Sequence, residues 1–561
     1  MSSTDERIPL STSLDNFYHA KKKLRSRPVN KRVLYLSIQV FINAVIIGFV
    51  AKALVYLIDL ITNIFFYGKF SFQSSSPAHN HLGWIVLFIP VIGGLLVGLM
   101  ARFGSKAISG HGIPEAMEKI ILGESRIPPI LTFLKPISAA ISIGTGGPFG
   151  AEGPIIATGG AFGSLTGQLM HISSSERKIV LAAGACAGMS AIFGSPLAAV
   201  MLAVELLLFE FSPRSIIPVA LGCVTGAGMH LILFGNQPVF SMVAIPSASD
   251  SSLFLYVLFG LIIGVFASLI SKSIYIIEDL FEKIPLHWMW WPAIGALAVG
   301  ITGYFAPVTM GVGYDNIRYL LNGSWSLSML LFLGVLKFLS WSISLGSGTS
   351  GGTLAPLFTI GGALGALLGI SAIHLFPGLH IDLRTVALVG MAAMFAGASR
   401  ALLTSIIFAL ETTGQSNALL PLLASCIAAY FVSFFLMKGS IMTEKIIRRG
   451  VKAPDSYEPD ILKSVAIKQL VTPLTDNNPS LPFVYAHEDA GWAAELMGKY
   501  QTDTLMVRDK KNNDHIIGMI KSESILKYYS DQKQREHVFE SPSQTKRLLV
   551  KGRRFLQRTG S

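Results

Sequence analysis

Long apolar stretches, separated by short glycine-rich or polar segments, fill most of the chain before residue 441. An apolar stretch of about 20 residues can cross the hydrocarbon core of a bilayer as a helix. The stretches of this kind are Val33–Phe66, Gly83–Ala101, Lys178–Glu210, Leu253–Ile277, Met329–Gly346 and Ala418–Met437. Because they carry few charges, the pattern predicts a mostly helical protein that passes through a membrane several times.

The composition becomes polar near each end, which predicts five segments. They are a basic tail (1–31), a membrane domain (32–441), a linker (442–463), a small α/β unit (464–531) and a basic flexible tail (532–561). The first tail has no apolar core of the kind that a cleavable signal peptide needs. The membrane domain is therefore expected to begin with the first apolar stretch.

Charge is scarce and unevenly placed. Only 14% of the residues are charged, against about 25% in soluble domains. Much of the formal net charge of +12 comes from Lys21, Lys22, Lys23, Arg25, Arg27, Lys31, Arg32, Lys445, Arg448, Arg449 and Lys452. Basic residues beside membrane segments favour the cytoplasmic side, so we expect both termini there and no nucleic-acid partner. The cysteines, Cys186, Cys223 and Cys426, lie far apart and predict no metal site.

The membrane domain contains an internal repeat. The sequence "GAEGPIIATGGAFGSLTG" (150–167) aligns with "GGTLAPLFTIGGALGALLG" (351–369) at an offset of 202, and Glu205 aligns with Glu411 at an offset of 206. The offsets predict two related halves, at about 33–235 and 250–441. Inverted halves are common in transporters, but the residues leave open whether these halves are inverted or parallel.

Each matched segment places glycines and a proline before a run of small apolar residues, which predicts a loop that leads into a helix. The unpaired backbone N–H groups at a helix N-terminus favour an anion. Glu152 is the charged residue of the first segment. A carboxylate inside a membrane domain is costly and indicates a functional site, although a buried structural carboxylate is the alternative.

A third motif, "GHGIPEA" (110–116), again places glycines and a proline before a helical pattern. The motifs "GHGIP", "GAEGP" and "GTLAP", in this order, resemble those of the CLC family of chloride channels and proton-coupled chloride exchangers. The resemblance covers about residues 33–450. It implies an all-α membrane protein with an inverted repeat of tilted and broken helices. It also implies a homodimer with one anion pathway in each subunit.

The resemblance also implies roles for individual residues. Glu152 matches the gating glutamate, whose carboxylate competes with the anion for its site. The backbone amides that would bind the anion belong to Ala151, Glu152, Gly153, Thr353, Leu354 and Ala355. Lys135 matches a buried lysine that makes the pathway electropositive, with a lysine that snorkels to the surface as the alternative.

Three positions differ from the family pattern. His111 replaces a serine that helps to coordinate the central anion, and it either faces the pathway or turns away from it. Met442 aligns with the central tyrosine, and a thioether donates no hydrogen bond. Leu354 replaces the phenylalanine of the third motif. We therefore expect a softer, less specific inner constriction.

The inner acid that passes protons to the cytoplasm in the exchangers is replaced by Leu206. The preceding acid, Glu205, is kept, and its repeat partner Glu411 favours a shared structural role over proton relay. The replacement of the inner acid by Leu206 therefore favours a passive, gated channel.

The polar unit resembles one CBS motif, a module often attached to CLC proteins. The sequence predicts a helix over 487–500 with Asp489 as its N-cap, strands over 504–509 and 515–521, a turn over 510–514 and a helix over 522–531. The chain is too short for a second motif, so this one would pair across the dimer or be vestigial. It contains no phosphate-binding glycine loop, so nucleotide binding has weak support.

The function predicted from the sequence is chloride transport through a cell (inner) membrane, gated by Glu152. A gated channel is favoured, a proton-coupled chloride exchanger is the alternative, and a cation-coupled solute symporter is a more distant one. The membrane domain has no converging nucleophiles, metal ligands or paired carboxylates, so we expect neither an enzyme nor a cofactor. The expected partners are chloride, protons in the case of an exchanger, and a second copy of the chain.

Overall fold

The computed structural model describes residues 31–122, 125–170, 172–248, 250–323, 325–376, 381–448, 450, 462, 465–473, 481–509 and 515–537. The chain divides into two compact units, Met1–Asp455 and Ser456–Ser561. The predicted turn 510–514, nearly all of the first basic tail, much of the linker and most of the last tail lie outside the described residues.

The first half of the membrane unit is helical. Its helices are α1 (Lys31–Tyr67), α2 (Ile89–Phe103), α3 (Ile113–Leu122), α4 (Leu131–Gly144), α5 (Glu152–Leu169), α6 (Ser174–Phe193), α7 (Pro196–Leu202, continued by a π-helical turn Ala203–Leu208) and α8 (Pro213–Leu233). The apolar stretch that was expected to be continuous over 178–210 is broken between α6 and α7. Gly194 adopts a left-handed conformation with φ of 62° and ends α6.

The second half follows the same plan. Its helices are α9 (Asp250–Glu282), α10 (Trp291–Phe305), α11 (Tyr314–Asn322), α12 (Leu327–Leu331, continued by a π-helical turn Phe332–Leu336), α13 (Lys337–Gly346), α14 (Leu354–Leu375), α15 (Leu383–Ser399), α16 (Leu402–Thr413), α17 (Leu419–Leu436) and α18 (Glu444–Arg448). Short 3₁₀ turns are Pro77–His79, Gly83–Leu87, Lys106–Ile108, Trp288–Trp290, Pro307–Thr309 and Ser416–Ala418.

Seven helical segments within the described residues are long and apolar enough to cross a membrane. They are Lys31–Tyr67, Gly83–Phe103, Pro213–Leu233, Ser252–Glu282, Leu327–Gly346, Leu354–Leu375 and Ser416–Leu436. Shorter apolar helices, such as α4, α7, α15 and α16, pack among them. The predicted polytopic, mostly helical architecture is confirmed.

Equivalent glycines bring equivalent helices together in the two halves. A Cβ on Gly159 of α5 would collide with the carbonyl group of Gly184 of α6, and the reverse substitution would also collide. Gly361 of α14 and Gly390 of α15 have the same relation. Small residues allow helix backbones to approach closely inside a membrane. The predicted repeat is therefore visible as one helix-packing arrangement used twice.

Two glutamates show that the equivalent helices α7 and α16 run antiparallel. The carboxylate of Glu205 accepts hydrogen bonds from the backbone N–H groups of Leu403 (2.9 Å) and Thr404 (2.9 Å), at the start of α16. The carboxylate of Glu411 accepts from Leu197 (3.0 Å) and Ala198 (2.9 Å), at the start of α7. Each glutamate caps the other half's helix, as expected for an inverted repeat.

The second unit is a small α/β structure with a three-stranded sheet. Its elements are a 3₁₀ turn (Ile467–Gln469), β1 (Phe483–Tyr485), α19 (Ala490–Tyr500), β2 (Thr504–Asp509), β3 (His515–Lys521) and α20 (Ser522–His537). Strand β2 is parallel to β1 and antiparallel to β3. The predicted cap is confirmed, because Asp489 accepts a hydrogen bond from the N–H of Trp492 at 2.9 Å. Strand β1 was missed.

We expect Glu411→Ala to lower the stability of the membrane unit, because two N–H groups at the start of α7 lose a charged acceptor. Hydrogen bonds to a charged group contribute about 1.5–3 kcal/mol. Thermal unfolding of the purified protein in detergent would measure the loss. Glu210→Ala, beyond the end of the same helical segment, is the control. Equal unfolding temperatures for the two variants would contradict the capping role.

Candidate functional site

The three sequence motifs meet through their backbones. Gly110 of the first motif pairs with Ser350, which precedes the third motif, and Gly150 of the second motif pairs with Gly352 of the third. The N–H of Gly352 donates to the carbonyl of Gly150 at 3.1 Å. Segments that are more than 200 residues apart in the chain therefore meet at one place.

Glycine is required for this contact. Gly112 has φ of 92°, and a Cβ there would collide with the carbonyl of Gly153. A Cβ on Gly153 would in turn collide with the carbonyl of His111 and with the Cα of Gly352. The loops before α3, α5 and α14 are consequently packed backbone against backbone, with no room for side chains between them.

Helices α5 and α14 begin beside this contact. Helix α5 begins at Glu152 after Ala151, and α14 begins at Leu354 after Thr353. Neither N-cap residue forms a side-chain capping hydrogen bond with the described residues. The backbone amides that were predicted to bind an anion therefore lie where the positive ends of two helix dipoles meet.

Glu152 lies at this junction. Its side chain is fully buried, and Oε1 accepts a hydrogen bond from the hydroxyl of Tyr314 at 3.0 Å. Oε2 has no hydrogen-bond partner among the described residues. The buried ammonium of Lys337 also interacts electrostatically with this carboxylate. Burial of a carboxylate that is only partly hydrogen-bonded is costly, which indicates a functional rather than a structural acid.

Tyr314 and Lys337 were not predicted from the sequence, although the repeat contains a signal for the lysine. Lys337 lies 202 residues after Lys135. The ammonium of Lys135 donates to the carbonyl groups of Ile108 (2.7 Å) and Gly110 (3.0 Å). The ammonium of Lys337 donates in the same way to the carbonyl groups of Thr309 (2.9 Å) and Gly311 (3.2 Å). Lys135 is therefore buried and does not snorkel.

His111 is placed between charged groups. It is only 3% exposed, and its Nδ1 has no hydrogen-bond partner among the described residues. Glu115, Lys135 and Lys445 interact with the ring electrostatically. Glu115 also accepts a hydrogen bond from the N–H of Gly112 at 2.6 Å. The loop that carries His111 is thus held by Lys135 at one glycine and by Glu115 at the other.

A cavity of about 570 Å³ reaches this loop. Glu115, Lys135 and Lys445 line it together with Gly112, and Glu115 is partly exposed. The cavity therefore gives water a place beside groups that can carry a proton.

The other predicted site residues differ in burial and in the contacts that they make. Met442 is fully buried, and its N–H donates to the Oγ of Ser440. Its described hydrogen bonds involve neither Glu152 nor His111. Glu205 caps α16, as shown above, whereas Leu206 is buried in the apolar core. No described hydrogen bond joins Glu205 to Glu152.

We expect Lys337→Met to weaken chloride binding, because it removes a positive charge next to Glu152 and leaves two carbonyl groups without their donor. Lys337→Arg keeps the charge and is the matched control. Chloride affinity of the purified protein, measured by isothermal titration calorimetry, should fall severalfold in the first variant and much less in the second. Equal affinities would show that this charge does not act on the anion.

Comparison with known proteins identifies the family. Residues 92–434 match the family model described as voltage gated chloride channel. An H(+)/Cl(-) exchange transporter ClcA of Klebsiella pneumoniae subsp. pneumoniae is 30% identical over 393 residues, covering 68% of this chain and 82% of the relative. A ClcA of Yersinia pestis is also 30% identical, over 396 residues, with coverage of 68% and 80%.

Solved structures show the same fold. A slow cyanobacterial Cl-/H+ antiporter is similar with a TM-score of 0.65 at 24% identity, covering 73% of this chain and 97% of that one. A CLC-type fluoride/proton antiporter has a TM-score of 0.57 at 22% identity, with coverage of 72% and 97%. The family match, the ClcA relatives and the shared fold together show that this chain belongs to the voltage-gated chloride channel (CLC) family.

Proposed function

We propose that the protein exchanges chloride for protons across a cell membrane. The observation that carries the proposal is the buried carboxylate of Glu152, which lies at the meeting point of two helix N-termini and can both bind a proton and occupy an anion site. The ClcA relatives are named as exchangers, and this favours exchange over the gated channel that the loss of an acid at Leu206 suggested. Location in the inner membrane agrees with these bacterial relatives.

The geometry supports a simple competition. The ionised carboxylate of Glu152 is an anion attached to the protein, so it can fill the positive region formed by α5 and α14. When it binds a proton it loses its charge, and a free anion then competes better for the same region. Binding of chloride and binding of a proton are thereby coupled at one residue.

Protons must also reach Glu152 from the side where Leu206 replaces the acid. Glu115 supports such a route, because it lines the cavity of about 570 Å³ and interacts with His111. A carboxylate beside a cavity and a neighbouring imidazole are suitable groups for proton transfer. We assign these two residues to the proton pathway and retain only a capping role for Glu205.

The transport mode can be tested with the purified full-length protein in liposomes. Under opposing chloride and pH gradients, we expect the reversal potential to depend on both gradients, because an exchanger couples chloride movement to proton movement in the opposite direction. Protein-free liposomes are the control. A reversal potential that follows chloride alone would support the gated channel instead. Uptake of an organic solute without chloride flux would support a symporter.

Glu152→Ala should retain chloride flux and lose proton transport, because the tethered competitor and its proton are both removed. Chloride efflux and proton uptake would be recorded together in the same liposomes. Coupled proton transport by this variant would contradict the role assigned to Glu152.

Glu115→Gln should reduce the number of protons moved per chloride, because an amide side chain does not bind or release a proton at the pH of the assay. The amide oxygen can still accept the hydrogen bond from Gly112, so the loop is preserved. Glu118→Gln, which also lines the cavity, is the matched control. Unchanged coupling in Glu115→Gln, with chloride flux intact, would exclude Glu115 from the proton pathway.

Assembly as a homodimer and pairing of the C-terminal unit across it also remain proposals from the family resemblance. The order of elements, β1, α19, β2, β3 and α20, supports a CBS-like unit. We propose no nucleotide or other cofactor for it.

A further inference from the structure

Tyr314 connects the second half of the repeat to the gating carboxylate in the first half. Its hydroxyl donates a hydrogen bond to Oε1 of Glu152 at 3.0 Å. The backbone of Ala151, one of the amides predicted to bind the anion, also acts on the phenol electrostatically. The hydroxyl therefore contacts the carboxylate that, in the proposed function, occupies the anion site.

The position of the Tyr314 ring is determined by other contacts besides Glu152. The ring packs against Phe193, with centroids 5.9 Å apart, and against Phe240, with centroids 5.6 Å apart. Gly313, with φ of 76°, precedes it as the N-cap of α11. Because these contacts do not involve the carboxylate, the hydroxyl is expected to stay in place when Glu152 moves away.

A carboxylate oxygen and a halide ion accept hydrogen bonds from the same donors. We propose that Tyr314 is a side-chain ligand of the transported anion, and that its hydroxyl donates to whichever anion, carboxylate or chloride, occupies this site. The inference rests on the proposed function, in which Glu152 and chloride compete. It adds a hydroxyl donor to a site that would otherwise consist of backbone amides with a nearby lysine.

This assignment also accounts for a difference noted in the sequence. His111 and Met442 stand where the family pattern has side-chain hydroxyl donors, so those donors are missing from their usual positions. Tyr314 supplies a hydroxyl at the Glu152 end of the pathway instead. We therefore expect much of the side-chain selectivity for the anion to lie at Tyr314.

The competing explanation is that Tyr314 only holds Glu152 in its closed position. The two explanations differ when Glu152 is absent. In a Glu152→Ala background, a residue that acts only on the carboxylate has nothing left to hold, whereas a ligand of the anion still affects anion binding. The double variant Glu152→Ala/Tyr314→Phe therefore separates them.

Chloride binding to the purified full-length variants in detergent would be measured by isothermal titration calorimetry. We expect Glu152→Ala/Tyr314→Phe to bind chloride about tenfold more weakly than Glu152→Ala, which corresponds to about 1.4 kcal/mol. Glu152→Ala/Tyr319→Phe is the control, because Tyr319 lies on the same helix and packs in a separate apolar cluster. Its chloride affinity should equal that of Glu152→Ala.

Affinities that agree within about twofold for all three variants would overturn the proposal. Tyr314 would then act only by holding Glu152 in its closed position. Absence of chloride binding in Glu152→Ala itself would contradict the proposed function instead. If the Tyr314→Phe variant does not fold, crystals of Glu152→Ala in bromide give a second test. Anomalous scattering should place bromide within hydrogen-bonding distance of the Tyr314 hydroxyl, and bromide bound elsewhere in the pathway would overturn the proposal.

Discussion

The site depends on the direct contact of glycine backbones from the two halves of the membrane unit. Gly150 and Gly352 are joined by a hydrogen bond, and neither Gly112 nor Gly153 has space for a Cβ. This contact places the N-termini of α5 and α14 side by side. Their unpaired N–H groups create positive potential without a full charge, a property that suits reversible binding of an anion.

The buried lysines around this contact are arranged according to the internal repeat. Lys135 and Lys337 each donate to two carbonyl groups of a glycine-containing loop, one loop in each half. A buried ammonium is costly unless it is hydrogen-bonded, and each lysine donates two hydrogen bonds. Oε2 of Glu152 has no hydrogen-bond partner within the described residues. The two cations are thus held more firmly than this carboxylate, which agrees with the movable acid of the proposed function.

Glu205 and Glu411 share a capping role that differs from the role proposed for Glu152. Glu205 and Glu411 each cap a helix of the opposite half, so both are committed to the interface between the halves. An acid whose oxygens both accept backbone hydrogen bonds is poorly suited to give up or take a proton. For the proposed exchange, proton transfer is better assigned to partly exposed groups such as Glu115 beside its cavity.

The sequence by itself determined the membrane domain, the internal repeat and the family, because these depend on apolar periodicity and on short motifs. The gating role of Glu152 stays a prediction from the same motifs. It also predicted two strands and a capped helix of the second unit. Only the tertiary structure revealed that α7 and α16 are antiparallel, that Gly194 divides an apolar stretch, and that Tyr314 contacts Glu152. Those features depend on contacts between residues far apart in the chain, and no local pattern records them. Tyr314 begins a short helix, and nothing in the neighbouring sequence shows that it contacts a buried carboxylate 162 residues away.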